Sequence, residues 1–124
     1  MKTMNLDDAI QTHADWKTRF RAAILTKQTL DVATISKDDC CELGKWLVDA
    51  GKSHFVRWDS YRDCVEMHRT FHVEASKVAN AINARKFAEA GAMIAPGAPY
   101  SAAANMIATA IMLLKKESSR DLSD

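Results

Sequence analysis

Glycine and proline are scarce, four and two in a chain of 124 residues. A sandwich or barrel of many short strands needs turn formers at regular spacing, and six cannot supply them. Cysteine is rarer still. Its three copies are an odd count and two are adjacent (Cys40, Cys41), which excludes the disulfide framework of a small secreted domain. Neither charge sign is in excess: 17 Lys and Arg face 16 Asp and Glu, for a formal net charge of +1. Non-specific nucleic-acid binding requires surplus cations to displace counterions, so it is not expected. Long apolar runs are missing too. The most apolar stretch, Ala102 to Leu114, has 13 residues and is interrupted by Asn105 and Thr109, whereas about 20 are needed to span a bilayer. The first eight residues carry no apolar segment of a signal peptide. These absences lead us to expect a soluble, cytoplasmic chain with no membrane and no nucleic acid among its partners.

What is present is a globular balance, 48% hydrophobic and 27% charged, in a length suited to one domain over residues 1–124. The apolar residues repeat with a helical period. Leu6, Ile10, His13, Trp16 or Lys17, Phe20 and Ile24 form one stripe of a first amphipathic helix. Thr26 to Ile35 carries β-branched residues without a sustained period and reads as a loop. Ser36 offers an N-cap with Asp39 three positions on, so a second helix is expected from about Lys37 to Ala50, closed by Gly51. Its inward residues would be Cys41, Gly44, Leu47 and Val48. The longest pattern begins near Ser53 and passes Ile82, through Phe55, Trp58, Arg62, Val65, His68, His72, Ala75 and Ala79. Arg85 to Gly91 either continues it or forms a short separate turn. The run Ala95-Pro96-Gly97-Ala98-Pro99 breaks the pattern. A last helix is expected from Tyr100 to Glu117, with Ala103, Met106, Ile107, Ala110, Leu113 and Leu114 inward and a frayed polar tail after Ser118. The fold class is all-α, an antiparallel four-helix bundle with a short extra helix or loop before the last helix.

One residue on the first stripe is out of place among apolar neighbours: His13. A second pair, His68 and His72, is spaced i, i+4, so both imidazoles leave one face of a helix a turn apart and can reach one metal ion. Such pairs also occur as ordinary core or surface histidines. A cysteine facing them would complete a His₃Cys set, the donors that a tetrahedral Zn²⁺ takes. Helical bundles build such sites from facing helices.

Three ordered pieces of this chain read His13-Ala14-Asp15-Trp16, Cys41-Glu42-Leu43-Gly44-Lys45-Trp46 and His68-Arg69-Thr70-Phe71-His72. Between His13 and Cys41 lie 27 residues, and between Trp46 and His68 lie 21. In order, composition and spacing the sequence resembles the chemoreceptor zinc-binding (CZB) domain family, with its His-x-x-Trp, Cys-x-Leu-Gly-x-Trp and His-x-x-x-His motifs. The resemblance covers residues 13 to 72. It implies a helical bundle in which His13, Cys41, His68 and His72 bind one zinc ion. It further implies a cytoplasmic regulatory module, often a homodimer, that acts on chemotaxis receptors or cyclic-di-GMP synthesis in bacteria. The residues outside the motif are too few for an output domain, so the chain is expected to be either a stand-alone module that meets a chemoreceptor or diguanylate cyclase in trans, or a fragment of something longer.

The remaining motif positions have physical readings of their own. Gly44 would allow close helix approach, and Trp16 and Trp46 would wall the site against water. Asp15, Asp39 and Glu42 are candidates to accept an imidazole N–H, or are caps and solvated charges. Cys40 points about 100° from Cys41 around a helix and is the weaker candidate ligand. Cys64, one turn before His68, is a rival ligand, a resolving thiol or a small buried side chain. His54 lies outside the motif and is expected to be exposed. Four protein donors leave no coordination position for water, which marks a structural or sensing site and not an enzyme. The alternative is a zinc-dependent hydrolase or thiol redox enzyme. A hydrolase needs an open metal position and a base such as Glu42, Glu66 or Glu74, and a thiol oxidoreductase would favour a Cys-x-x-Cys pair that is absent.

Overall fold

The computed structural model describes residues 5–37, 41–50 and 58–123. Among the described residues there are six helices and no strand: α1 Leu6–Thr26, α2 Val32–Ile35, α3 Glu42–Ala50, α4 Asp59–Asn83, α5 Phe87–Met93 and α6 Pro99–Ser123. None is long and apolar enough to cross a membrane.

The ends of these helices follow from their capping chemistry. Asn5 accepts the Asp8 N–H at 3.1 Å and starts α1, with Asp7 and Asp8 at the positive end of the helix dipole. Lys27, left-handed at φ 57°, stops it. The segment expected to be a loop holds α2, because Asp31 accepts from both the backbone and hydroxyl of Thr34 and Ile35 buries its side chain. Ser36 therefore closes α2 instead of opening the next helix, and α3 starts at Glu42, five residues after Lys37. Asp38, Asp39 and Cys40 lie outside the described residues, as do Gly51, Ser53, His54 and Phe55. Trp58 is extended (φ −81°, ψ 134°), so α4 begins at Asp59 and not near Ser53.

Beyond Asn83 the chain turns through a left-handed Arg85 (φ 66°), which makes α5 a separate short helix. Pro99 is the first residue of α6, a position where its missing N–H is no loss. Ser101 holds the preceding turn by donating to the Ile94 and Ala95 carbonyls. The helix continues to Ser123, beyond the expected end at Glu117.

α4 packs most extensively on α6, and α1 lies against α6 as well. Phe20, Cys64, Phe71, Val78, Ile82, Ile111 and Leu114 are fully buried at this junction, each large apolar side chain contributing about 1.5–3 kcal/mol. Met106 and Leu113, expected inside, are exposed, because the face of α6 turned to α4 is the one carrying Ala103, Ile107, Ala110, Ile111 and Leu114. Arg62 is exposed and paired with Asp59. Val48 is also exposed. α3 instead buries Leu43 and Leu47, and the Tyr61 hydroxyl donates to the Leu47 carbonyl at 2.6 Å. Asn83 clamps the α1–α2 connection to the end of α4 in both directions, accepting from Leu30 N–H at 2.8 Å and donating to its carbonyl at 2.9 Å.

Candidate metal centre

α1, the start of α3 and the middle of α4 each deliver donor atoms to one point. His13 comes from α1, and His68 and His72 from successive turns of α4. Cys41 sits immediately before α3. One ligand atom from each of these four residues lies within 4.8 Å of every other. His13, His68 and His72 are buried and Cys41 is half-buried.

The distances suit a small tetrahedral ion. With metal–nitrogen bonds of about 2.0–2.1 Å and a metal–sulfur bond of about 2.3 Å, the edges of the tetrahedron are about 3.3 Å between nitrogens and about 3.6 Å from nitrogen to sulfur. His68 Nε2 stands 3.1 Å from His13 Nε2 and 3.0 Å from His72 Nε2. Cys41 Sγ stands 3.1, 3.7 and 3.9 Å from the Nε2 atoms of His68, His72 and His13.

The hydrogen bonds around the cluster decide which ring nitrogens carry protons. His13 Nδ1 lies 2.8 Å from the Ala9 carbonyl, and His72 Nδ1 lies 2.8 Å from the Ile35 carbonyl. A carbonyl only accepts, so both Nδ1 atoms are donors, which in a neutral imidazole leaves the Nε2 lone pair free to ligate. Burial lowers the pKa of His13, and it drives that of His68 down to about 3, with His72 and His13 beside it adding to the effect. Neutral imidazole is the form that ligates. Two lone pairs, a third ring nitrogen and a sulfur thus converge where internal protons are too few to pair them. A cation satisfies all four at once, and the soft N₃S donor set fits zinc.

Cys41 reaches the cluster by capping α3. Its carbonyl accepts the Lys45 N–H at 3.0 Å and its Sγ accepts the Gly44 N–H at 3.3 Å, the arrangement of an N-cap residue. The amide fixes the sulfur at the start of the helix, facing the three imidazoles. Gly44 is buried and contributes this donor.

Of the two readings given to the nearby acids, the structure supports the solvated one for Asp15 and Glu42. Asp15 accepts from Gln11 on the exposed face, Glu42 is exposed, and Asp39 lies outside the described residues. Backbone carbonyls of Ala9 and Ile35 accept the imidazole N–H groups instead. Trp16 packs on Phe20 at 5.6 Å, with Arg19 over its face. Phe71 walls the cluster, edge-on to His13 at 5.1 Å and to His72 at 5.5 Å. Its position inside the His68–His72 motif and one turn from Ala75 was the available signal.

Cys64 is fully buried and does not join the four donors. Burial pushes its thiol up to about 12, far from the reactive form. Glu66 is exposed near Arg69, and Glu74 pairs with Lys77 at 3.0 Å. No carboxylate among the described residues joins the cluster, so the general base that a hydrolase would need has no observation behind it.

No curated protein and no solved structure matches the chain. A family model does match, that of the chemoreceptor zinc-binding domain, over residues 13–79. That span holds all four converging side chains and is more than half of the 124 residues. On the match and the geometry together, the chain belongs to the chemoreceptor zinc-binding domain family.

Proposed function

We propose that this chain is a non-catalytic, regulatory zinc-sensing module of bacterial signalling, in chemotaxis or in cyclic-di-GMP control. His13, Cys41, His68 and His72 are its zinc ligands, and residues 1–124 form one domain. The observation that carries the reading is the convergence of three imidazole nitrogens and one sulfur, with no carboxylate among them. In this reading α1, α3, α4 and α6 make an antiparallel four-helix bundle, with α2 and α5 as connections. The module is cytoplasmic, pairs as a homodimer and acts on a chemoreceptor or diguanylate cyclase in trans.

Bound zinc would supply one link between three separate elements. The chain's own residues do the rest. The Ala9 and Ile35 carbonyls hold the rings of His13 and His72 in the ligating tautomer, and Phe71 walls one side of the cluster. The Gly44 N–H steadies the Cys41 sulfur. Cys41 is the soft, oxidisable donor of the set. A two-electron oxidant such as hypochlorous acid transfers oxygen to the thiolate, giving a sulfenic acid and chloride. That weakens the sulfur as a ligand and frees α3 from α1 and α4. Free zinc level and oxidant are thus two inputs to one site.

Elemental analysis tests the ligand set. One zinc per chain is expected in the parent, and none in the His68→Ala/His72→Ala protein. Stoichiometric zinc in the double variant refutes it. A chromogenic chelator after a hypochlorous acid pulse tests the redox input. Zinc release should persist in Cys40→Ala and Cys64→Ala and be lost in Cys41→Ala. Release that needs Cys64 and not Cys41 assigns the fourth ligand to α4 instead.

A further inference from the structure

Among the described residues α2 touches no helix but α4. A single turn is marginal by itself, so its place is set by what α4 offers it. The burial of Ile35 is one hold. Two side chains of α4 supply the others, one at each end of the segment from Leu30 to Ile35, and both grip backbone atoms. His72 Nδ1 donates to the Ile35 carbonyl at 2.8 Å. Asn83 ends α4, eleven residues and about 16 Å beyond His72. It accepts the Leu30 N–H at 2.8 Å and donates to the Leu30 carbonyl at 2.9 Å.

The segment between these two holds is braced along its length. The Val32 N–H donates to the Leu30 carbonyl and the Ile35 N–H to that of Asp31, while the Asp31 carboxylate accepts from the backbone and hydroxyl of Thr34. Leu30 and Ile35 therefore move as one piece. That matters to the metal centre, because the ring of His72 can turn about its last side-chain bond and can carry its proton on either nitrogen. The bond to Ile35 fixes both, but only while the Ile35 carbonyl stays in position. That carbonyl belongs to the last residue of a one-turn helix, where carbonyls lack helical partners.

We infer that Asn83 is a positioning residue of the metal centre. By pinning Leu30 it sets, through the braced turn of α2, the carbonyl that orients His72. The inference rests on the reading of His72 as a ligand. Linkage makes the effect reciprocal: His72 with its Nε2 engaged holds the Ile35 carbonyl more firmly, and the Leu30 N–H with it.

Competition of the full chain against a chromogenic zinc chelator measures the first effect, and hydrogen exchange of the Leu30 amide measures the second. Asn83→Ala should weaken zinc at least fivefold, although Asn83 is not among the four donors. In the parent, the Leu30 amide should exchange at least fivefold more slowly in zinc than in chelator, beyond any change in the core amides of α6. Leu114→Ala removes a buried side chain of α6 and separates coupling from general loss of stability: it should lower the urea midpoint and leave zinc affinity unchanged. Should Asn83→Ala not fold by circular dichroism, Asn83→Asp carries the test. It keeps the acceptor for Leu30 and loses the donor, and should also bind zinc more weakly than the parent. Unchanged zinc affinity in the folded Asn83 variant overturns the proposal. So does an equal loss in Leu114→Ala, or Leu30 exchange that does not respond to zinc. His72→Ala tells the two readings apart: unchanged zinc affinity there overturns the ligand set and this inference with it, whereas weakened His72→Ala beside an unchanged Asn83 variant overturns the role of Asn83 alone.

Discussion

Stripping zinc from the protein should lower its melting temperature by an amount that can be estimated beforehand. A ligand that binds only the native state adds RT ln(1 + [L]/Kd), about 4.1 kcal/mol when free zinc is held near 1,000 times Kd. The unfolding entropy near the melting point is about 2.1 cal/mol/K per residue, or about 0.26 kcal/mol/K over 124 residues. One site per chain at that saturation therefore shifts the melting temperature by about 16 °C. The helices should survive the loss, because Phe20, Phe71, Ile82, Ile111 and Leu114 are buried without help from a metal. Thermal scans followed by helical circular dichroism, in chelator and in buffered zinc, make the measurement. His68→Ala is the decisive variant, since His68 Nε2 lies within 3.1 Å of all three other donors. Its own zinc-dependent shift should be close to nothing. An equal shift in parent and variant would place the ion elsewhere on the surface, and identical melting of the parent with and without zinc would refute the argument outright.

Three further outcomes follow from single side chains. Asn83→Ala should cost about 1–3 kcal/mol in urea denaturation, because it leaves the part-buried N–H and carbonyl of Leu30 without partners; an unchanged midpoint would mean that water replaces the amide freely. Tyr100→Phe should stabilise the chain by about 1 kcal/mol, since it removes a buried hydroxyl that has no partner, and a loss of stability would reveal a hidden acceptor. Cys64, with its thiol pushed up to about 12, should resist iodoacetamide at pH 8 in the native state and react only on unfolding. Native-state labelling by mass spectrometry would contradict its burial.

The helical class and the three inward histidines were legible in the sequence through their spacing, whereas Cys41 was singled out from Cys40 and Cys64 with the help of the family resemblance. His13 falls on a stripe of period three to four, and His68 and His72 are a turn apart, so any helix of those residues aims the three rings inward. The misplacements come from choices that spacing does not make. On α6, Met106 and Leu113 share a turn with Ile107 and Leu114, and a stripe drawn one residue to either side satisfies the same period. Packing against α4 selects Ile107, Ile111 and Leu114. The backbone carbonyls of Ala9 and Ile35 have no residue signature at all, so the imidazole partners were not legible; Asp15 and Glu42 could be read as partners or as solvated charges, and they are the latter. α2 was hidden because its four residues hold only one turn. Its stability comes from the Asp31 cap and from Ile35 in the core, not from propensity.

Cys41 separates the two kinds of information most sharply. Periodicity places it inside a helix, as one inward residue among several, whereas the structure places it at the start of α3, where its sulfur accepts the Gly44 N–H. A residue in that position has two duties, to start the helix and to face the metal, and substitution can divide them. Serine keeps a side-chain acceptor for the Gly44 amide but is a poor zinc ligand. Alanine has neither capacity. In the metal-free state Cys41→Ala should be less stable than Cys41→Ser by about 1 kcal/mol, the usual value of an N-cap. In zinc both should fall far below the parent, since neither offers a sulfur. Chemical denaturation of the three proteins, with chelator and with zinc, reads both duties at once. Equal metal-free stability of the serine and alanine proteins would show that Cys41 serves the metal alone and that α3 is started by other means.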